Sequence, residues 1–225
     1  MSTQQAKQQA RQQAKGQRKR RHLIEAAIRV VGRKGVARAT IQDVAQESDL
    51  SVGLANFYFA GKEDLFSAAF QDLAEEYESV WRRRTDGLND PAAILDAMII
   101  ASFDPQILSQ AKAAAWFAFW GEACHGDPSF LAIDRIEQRC VGEILRHCRA
   151  LARQRGLTPT QAKQIGLGLG AMIEGLWSAF ALPGGTMQPK MAIRICRDYL
   201  AASFDRVPAK LPAGTKTAAR NAAPN

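Results

Sequence analysis

Five X-Pro steps constrain the fold of this chain more than any other feature: Asp90-Pro91, Asp104-Pro105, Asp127-Pro128, Thr158-Pro159 and Gln188-Pro189. In four of them the residue before proline is Asp or Thr, whose side-chain oxygen accepts from the free N–H groups of a helix start. Proline at the first helical position loses only an N–H that has no partner inside the helix. Between these starts apolar residues recur three and four apart, and no stretch alternates as a half-buried strand would. The sequence therefore predicts an all-α protein of about nine helices, with no strand.

The first half of the chain has its own punctuation. RRHLIEAAIRVVGRKG (20–35) carries Leu23, Ala27 and Val30 in one row and Ile24, Ile28 and Val31 in another, with Gly32 or Gly35 as its end. Thr40, with Asp43 three residues on, opens a second helix. Ser48-Asp49-Leu50 is a tight turn, and Ser51 caps a third helix that Ala60-Gly61 breaks. Lys62 opens a long connector to about Arg84, its buried side carrying Leu65, Phe66, Ala69, Phe70, Leu73, Tyr77 and Trp81. Helices at about 159–182 and 189–204 complete the body.

Charge is concentrated at the ends. The chain of 225 residues has a net charge of +8, yet residues 1–21 hold seven Lys or Arg and no acid, and the tail 208–225 holds three more. The body between them is slightly acidic. A basic block at one end suits an arm that meets phosphates, or a solubilising terminus. Residues 1–18 are expected as a flexible basic arm: Lys7, Arg11 and Lys15 would form one stripe on a helix, but no apolar face is there to hold it. Residues 207–225 are expected as a flexible basic tail.

Four cysteines without a CxxC pair fit reduced thiols. Cys124-His125 and His147-Cys148 are adjacent pairs, and neighbours on a helix diverge by about 100°, so neither makes a metal site. No metal and no cofactor are expected. AAAWFAFW (113–120) is too short to cross a bilayer, and 166–182 holds Glu174 and falls below the roughly 20 residues needed. With no leader-like start, the expectation is a soluble cytoplasmic protein that does not enter membranes. No nucleophile–base set, metal motif or phosphate loop favours an enzyme. An adaptor that binds nucleic acid or a membrane surface through the basic N-terminus alone remains as another class.

Two short helices around a tight turn make a helix-turn-helix, here at about 40–59. TIQDVAQESDLSVGLANFYFAGKEDLF (40–66) resembles the TetR family of bacterial repressors. The resemblance rests on an ordered set: Thr40, Ala45, the turn, Ser51-Val52-Gly53, Phe57-Tyr58, Phe59 and Lys62-Glu63. It departs from the family pattern at Asp49, where glycine is usual, and at Val52 and Asn56. Asp tolerates positive φ better than most residues, so the turn survives. The resemblance implies a DNA-binding domain over 19–64 and a helical ligand-binding and dimerisation domain over 65–206.

The physical roles within that motif can be assigned. Thr40 and Ser51 stand at helix starts whose N–H groups favour phosphate. Gly53 lets the backbone approach the groove, Asn56 suits an adenine edge, and Val52 suits a thymine methyl. Tyr58 and Lys62 are expected on phosphates. Phe59 is expected in the core, whereas Phe57 stands between core packing and base contact.

The second half carries a narrower likeness. AWFAFWGEACHGDP (115–128), DRIEQRC (134–140) and IEGLWSAFAL (173–182) look like the C-terminal domain of BetI-type regulators. That branch implies a repressor that responds to choline and controls its conversion to glycine betaine. Relatives with the same domain type that sense neutral hydrophobic ligands, and so control efflux or catabolic genes, are the alternative. Trp116, Phe117 and Trp120 lie on one helix; Glu174 and Trp177, three apart, share a face of another. Indole faces beside a carboxylate suit a quaternary ammonium; the same stripe also fits an ordinary core or a neutral-ligand pocket. The family likeness further implies a homodimer built from the last two long helices. Gly166, Gly168, Gly170 and Gly175 would give the first of these a small face for that contact, and a two-fold dimer implies a near-palindromic operator.

Overall fold

A computed structural model describes residues 3–124, 132–182, 184–185 and 187–205. Nine helices are present among them: α1 (Thr3–Lys34), α2 (Ile41–Glu47), α3 (Val52–Tyr58), α4 (Lys62–Thr85), α5 (Pro91–Ser102), α6 (Gln110–Cys124), α7 (Ala132–Gln154), α8 (Pro159–Ala181) and α9 (Pro189–Asp205). No described helix is long and apolar enough to cross a membrane. His125, the Asp127-Pro128 start and the tail 207–225 lie outside the described residues.

The caps explain most boundaries. Thr40 and Asp43 form a complete capping box, as do Thr158 and Gln161. Ser51 Oγ accepts from Leu54 N at 3.2 Å, and Asp90 Oδ2 accepts from Ala93 N at 3.0 Å. Each such cap contributes about 1 kcal/mol. Asp49 takes φ 53°, the left-handed conformation that the departure from glycine put in question. Gly35, at φ 74°, ends α1. Gly32 instead lies inside the helix.

Helix α1 runs unbroken from Thr3, so the described part of residues 1–18 continues the first helix. Gln, Ala, Lys and Arg are strong helix formers, and packing at 23–31 supplies the nucleus from which helix extends backwards at little cost. Asp104-Pro105 starts a single turn rather than a helix. Asp104 O accepts from Leu108 N at 2.9 Å, and Ile107 and Leu108 then turn into the core, 3% and 5% exposed. The helix restarts at Gln110, where Ser109 Oγ accepts from Lys112 N.

Two hydrophobic clusters organise the molecule. One joins α1, α2 and α3 to the first half of α4 through Leu23, Val30, Phe59, Phe66 and Phe70. The other joins the second half of α4 to α5, α7, α8 and α9 through Trp81, Ile99, Phe103, Leu169 and Trp177. Helix α4 belongs to both clusters, and Ala115 and Phe119 of α6 pack into the first. The glycines of α8 serve mainly its own chain. A Cβ at Gly166 would meet Leu145 Cδ2 at 2.7 Å, and one at Gly168 would meet Tyr199 Oη at 2.1 Å. Only Gly175, with nothing near its Cβ position, remains as an open small surface.

Candidate nucleic-acid interface and effector cavity

Helix α3 is a seven-residue element with one buried edge and one open face. Ala55 and Phe59 are 1% and 3% exposed, and Leu54 and Tyr58 are half-buried. The opposite face presents Val52, Gly53, Asn56 and Phe57. Phe57 is 77% exposed, so its ring is not a core residue in the chain taken alone. Nothing lies near the Cβ position of Gly53. Four apart, Val52 and Asn56 share the outward face, and so do Gly53 and Phe57.

The helix-turn-helix is clamped to α1 by charge. Glu47 accepts from Arg29 Nε at 2.7 Å and from Arg33, and Lys34 Nζ pairs with Asp43 at 2.7 Å. Arg33, then Arg29, hold the Glu47 carboxyl below the usual carboxylate range; Lys34, then Thr40, do the same for Asp43. These cations are thus committed to the fold rather than to phosphate. The expected phosphate ligands differ from one another in placement. The Ser51 and Thr40 hydroxyls accept from their own helices and keep their protons to donate outward. Lys62 turns inward: its Nζ donates to Ala37 O at 3.2 Å and sits 5.6 Å from the centroid of the Phe66 ring. Tyr58 lines a groove with Gln13, Gly16, Gln17 and Arg20, so the N-terminal part of α1 passes directly beside α3. Lys7, Arg11, Lys15 and Arg18 on that part are exposed.

In the body, α4, α6, α7 and α8 line a half-open cavity of about 80 Å³, with Glu174 on its exposed side. One water needs roughly 10–15 Å³ on that measure, so the space takes a compact small molecule. Trp116, Phe117, Trp120, Glu174 and Trp177 all line it. Ring centroids of Trp116 and Trp177 lie 5.9 Å apart at 67°. Trp177 is 6% exposed, and its Nε1 donates to Ser102 O at 2.8 Å, which fixes the indole and satisfies a carbonyl at the end of α5. Trp120, at 36% exposed, stands at the rim.

The wall contains residues whose sequence pattern indicated only a buried helix face. Tyr77 and Trp81 of α4 line the cavity, with Tyr77 at 5.7 Å from Trp177 and 6.1 Å from Trp116 between ring centroids. Their spacing of four, the same as 116 and 120, is the signal in the sequence that points to them. Tyr77 Oη lies 3.1 Å from Ser102 Oγ, and burial raises its pKa well above the ordinary value, so the phenol stays neutral. Cys140, Val141, Ile144, Gly170 and Ile173 complete the lining.

A helix-turn-helix with an exposed face, joined by a shared helix to an aromatic-lined cavity, is the arrangement of a ligand-responsive DNA-binding regulator. Residues 23–69 match the family described as bacterial regulatory proteins, tetR family, and residues 91–205 match that described as BetI-type transcriptional repressor, C-terminal. The HTH-type transcriptional regulator BetI of Burkholderia cenocepacia is 31% identical over 81% of this chain and 92% of its own. The BetI of Burkholderia thailandensis is 30% identical over 81% of this chain and 91% of its own. A transcriptional regulator from Pseudomonas aeruginosa PAO1 superposes with a TM-score of 0.67 at 26% identity, over 82% of this chain and 89% of that one. One from Saccharomonospora viridis, solved in complex with choline, superposes with a TM-score of 0.69 at 19% identity, over 81% and 95% of the two chains. The chain belongs to the TetR family and carries a BetI-type C-terminal domain. It is a BetI-like transcriptional repressor, not an enzyme, and its family implies an operator, a dimer and an effector.

Proposed function

We propose that the protein is a cytoplasmic dimeric repressor of choline-to-glycine-betaine genes, released from a near-palindromic operator by a compact quaternary ammonium, choline itself. The observation that carries this reading is the cavity in which Trp116, Trp177 and Tyr77 present rings to one small volume with Glu174 at its wall. An ammonium over an indole face gains about 0.5–2 kcal/mol, more as it is desolvated, and several rings act together. The choline held by the Saccharomonospora viridis regulator supports the same ligand class. Twin copies of α8 and α9 would form the dimer, consistent with Leu167, Leu182 and Met191 at 45%, 62% and 55% exposure.

Val52, Gly53, Asn56 and Phe57 would meet base edges, and Ser51, Thr40, Tyr58 and the exposed basic residues of α1 would meet phosphates. Lys62 would keep a share of the phosphate contact through the protons it does not give to Ala37 O. Release requires that choline bind the operator-incompetent arrangement more tightly than the competent one. Helix α4, shared by both clusters, is the element both sites bias. The test is calorimetry of the full chain with choline, betaine and a panel of neutral hydrophobic compounds, paired with operator release. Choline binding that releases the operator supports the proposal; a neutral compound that does so while choline does not bind sinks it.

A further inference from the structure

Three of the rings around the aromatic cavity turn their polar atoms toward one place. Trp177 of α8 donates its Nε1 proton to Ser102 O at 2.8 Å. Tyr77 of α4 sets its hydroxyl 3.1 Å from Ser102 Oγ. The Trp81 indole N–H is directed at that same hydroxyl, with the two ring centroids 5.2 Å apart. Ser102 is fully buried at the last position of α5, behind the cavity wall rather than in it.

The supply of protons fixes the direction of each bond. Ser102 has one hydroxyl proton, and Oγ gives it to Met98 O at 2.9 Å. Oγ therefore accepts from Tyr77, whose own oxygen is left to accept from Trp81. The run is Trp81 to Tyr77 to Ser102 to Met98, each donor facing an acceptor. The Ser102 carbonyl, one of those that a helix end leaves over, takes the Trp177 proton. The end of α5 is itself held fast. Phe103 is 2% exposed, and Arg84 Nε of α4 donates to Asp104 Oδ2 at 3.1 Å.

We propose that Ser102 is a positioning residue for the effector: it touches no ligand, and it orders the cavity wall by holding Tyr77 through its hydroxyl and Trp177 through its carbonyl. This rests on the ammonium reading above and assigns the residue that presents the rings to the cation. An aromatic face attracts a cation only when it is turned toward it. Tyr77 borders open volume, so packing alone leaves its ring room to turn. A hydroxyl bonded on both sides removes that room.

The experiment is calorimetry of the full chain with choline on the wild type, Ser102→Ala, Tyr77→Phe and the double variant, with near-ultraviolet circular dichroism of each ligand-free protein. Ser102→Ala keeps the carbonyl that holds Trp177 and removes only the hydroxyl. It should bind choline about three- to tenfold more weakly, the size of one net hydrogen bond, and lose part of the aromatic dichroism. Tyr77→Phe should weaken choline by a similar factor. Adding Ser102→Ala to it should then change Kd by less than about twofold, because the two groups act as one. Factors that multiply in the double variant overturn the action through Tyr77, as does an unchanged near-ultraviolet spectrum in Ser102→Ala. Wild-type choline affinity in Ser102→Ala overturns the positioning role and leaves the ammonium reading standing. Should Ser102→Ala fail to fold, Tyr77→Phe decides, and unchanged affinity there overturns the role. A wild type that does not bind choline overturns both readings.

Discussion

Gly32→Ala tests how the DNA head is coupled to the ligand-binding body. Gly32 sits where α1 crosses α6, and a Cβ there would lie 2.5 Å from Ala111 O, a backbone atom. Cβ contacts below 3.0 Å essentially do not occur, so the two helices must part by at least about 0.5 Å. Backbone cannot rotate away as a side chain can. Overpacking of this size costs about 1–3 kcal/mol. Alanine returns about 1 kcal/mol of helix propensity. The net expectation is a loss of roughly 0–2 kcal/mol, which for a chain of this length lowers Tm by up to about 8 °C. The larger effect falls on function, because α6 carries Trp116 and Phe117 of the cavity wall and packs Phe119 into the head. Denaturation at fixed protomer concentration gives the stability term. Anisotropy of an operator duplex selected from random DNA, with and without choline, gives the coupling. A variant as stable as the wild type, or more so, with unchanged operator affinity and unchanged release would refute the close α1–α6 contact as a coupling element.

Asn56→Ala should cost about 1–3 kcal/mol at one operator position and relax preference there; uniform weakening across all sequences would remove it as a base reader. Deletion of residues 1–18 removes Lys7, Arg11, Lys15 and Arg18 and should flatten the slope of log K against log[salt] by about 0.9 for each phosphate they neutralise. An unchanged slope would make the front of α1 a mere extension. Glu47, held below the usual range by Arg33 and Arg29, contributes stability that is present above its unfolded pKa and lost as pH falls through its folded one. Glu47→Gln should therefore be the less stable protein at pH 7, with the gap to the wild type closing toward pH 3 in denaturant titrations. A gap that persists in acid would show that the pairing with Arg33 and Arg29 is not its source.

Legibility in the sequence followed local chemistry. Thr40 with Asp43, Ser51 and Thr158 announced their helices because a cap needs only neighbours within three residues. Trp116 and Trp120 announced a shared face, as did Glu174 and Trp177. That the two faces meet across a void was not readable, since a buried aromatic carries the same spacing whether it packs against atoms or against empty volume. The pattern of Tyr77 and Trp81 accordingly indicated a core and nothing more. Asp104-Pro105 carried a start signal that Ile107 and Leu108 overrode by burial. The glycines of α8 signalled close approach without saying whose atoms approach; at 166 and 168 they are Leu145 and Tyr199 of the same chain.

The chain has four tryptophans, Trp81, Trp116, Trp120 and Trp177, and all four line the aromatic cavity. The head has none. Indole emission from the unlabelled protein thus originates entirely at the aromatic cavity, and a ligand entering there would report itself optically. An operator duplex touches no indole, so any spectral change it induces must have travelled through the protein. One fluorimeter can therefore record both occupancy and communication, with no dye attached.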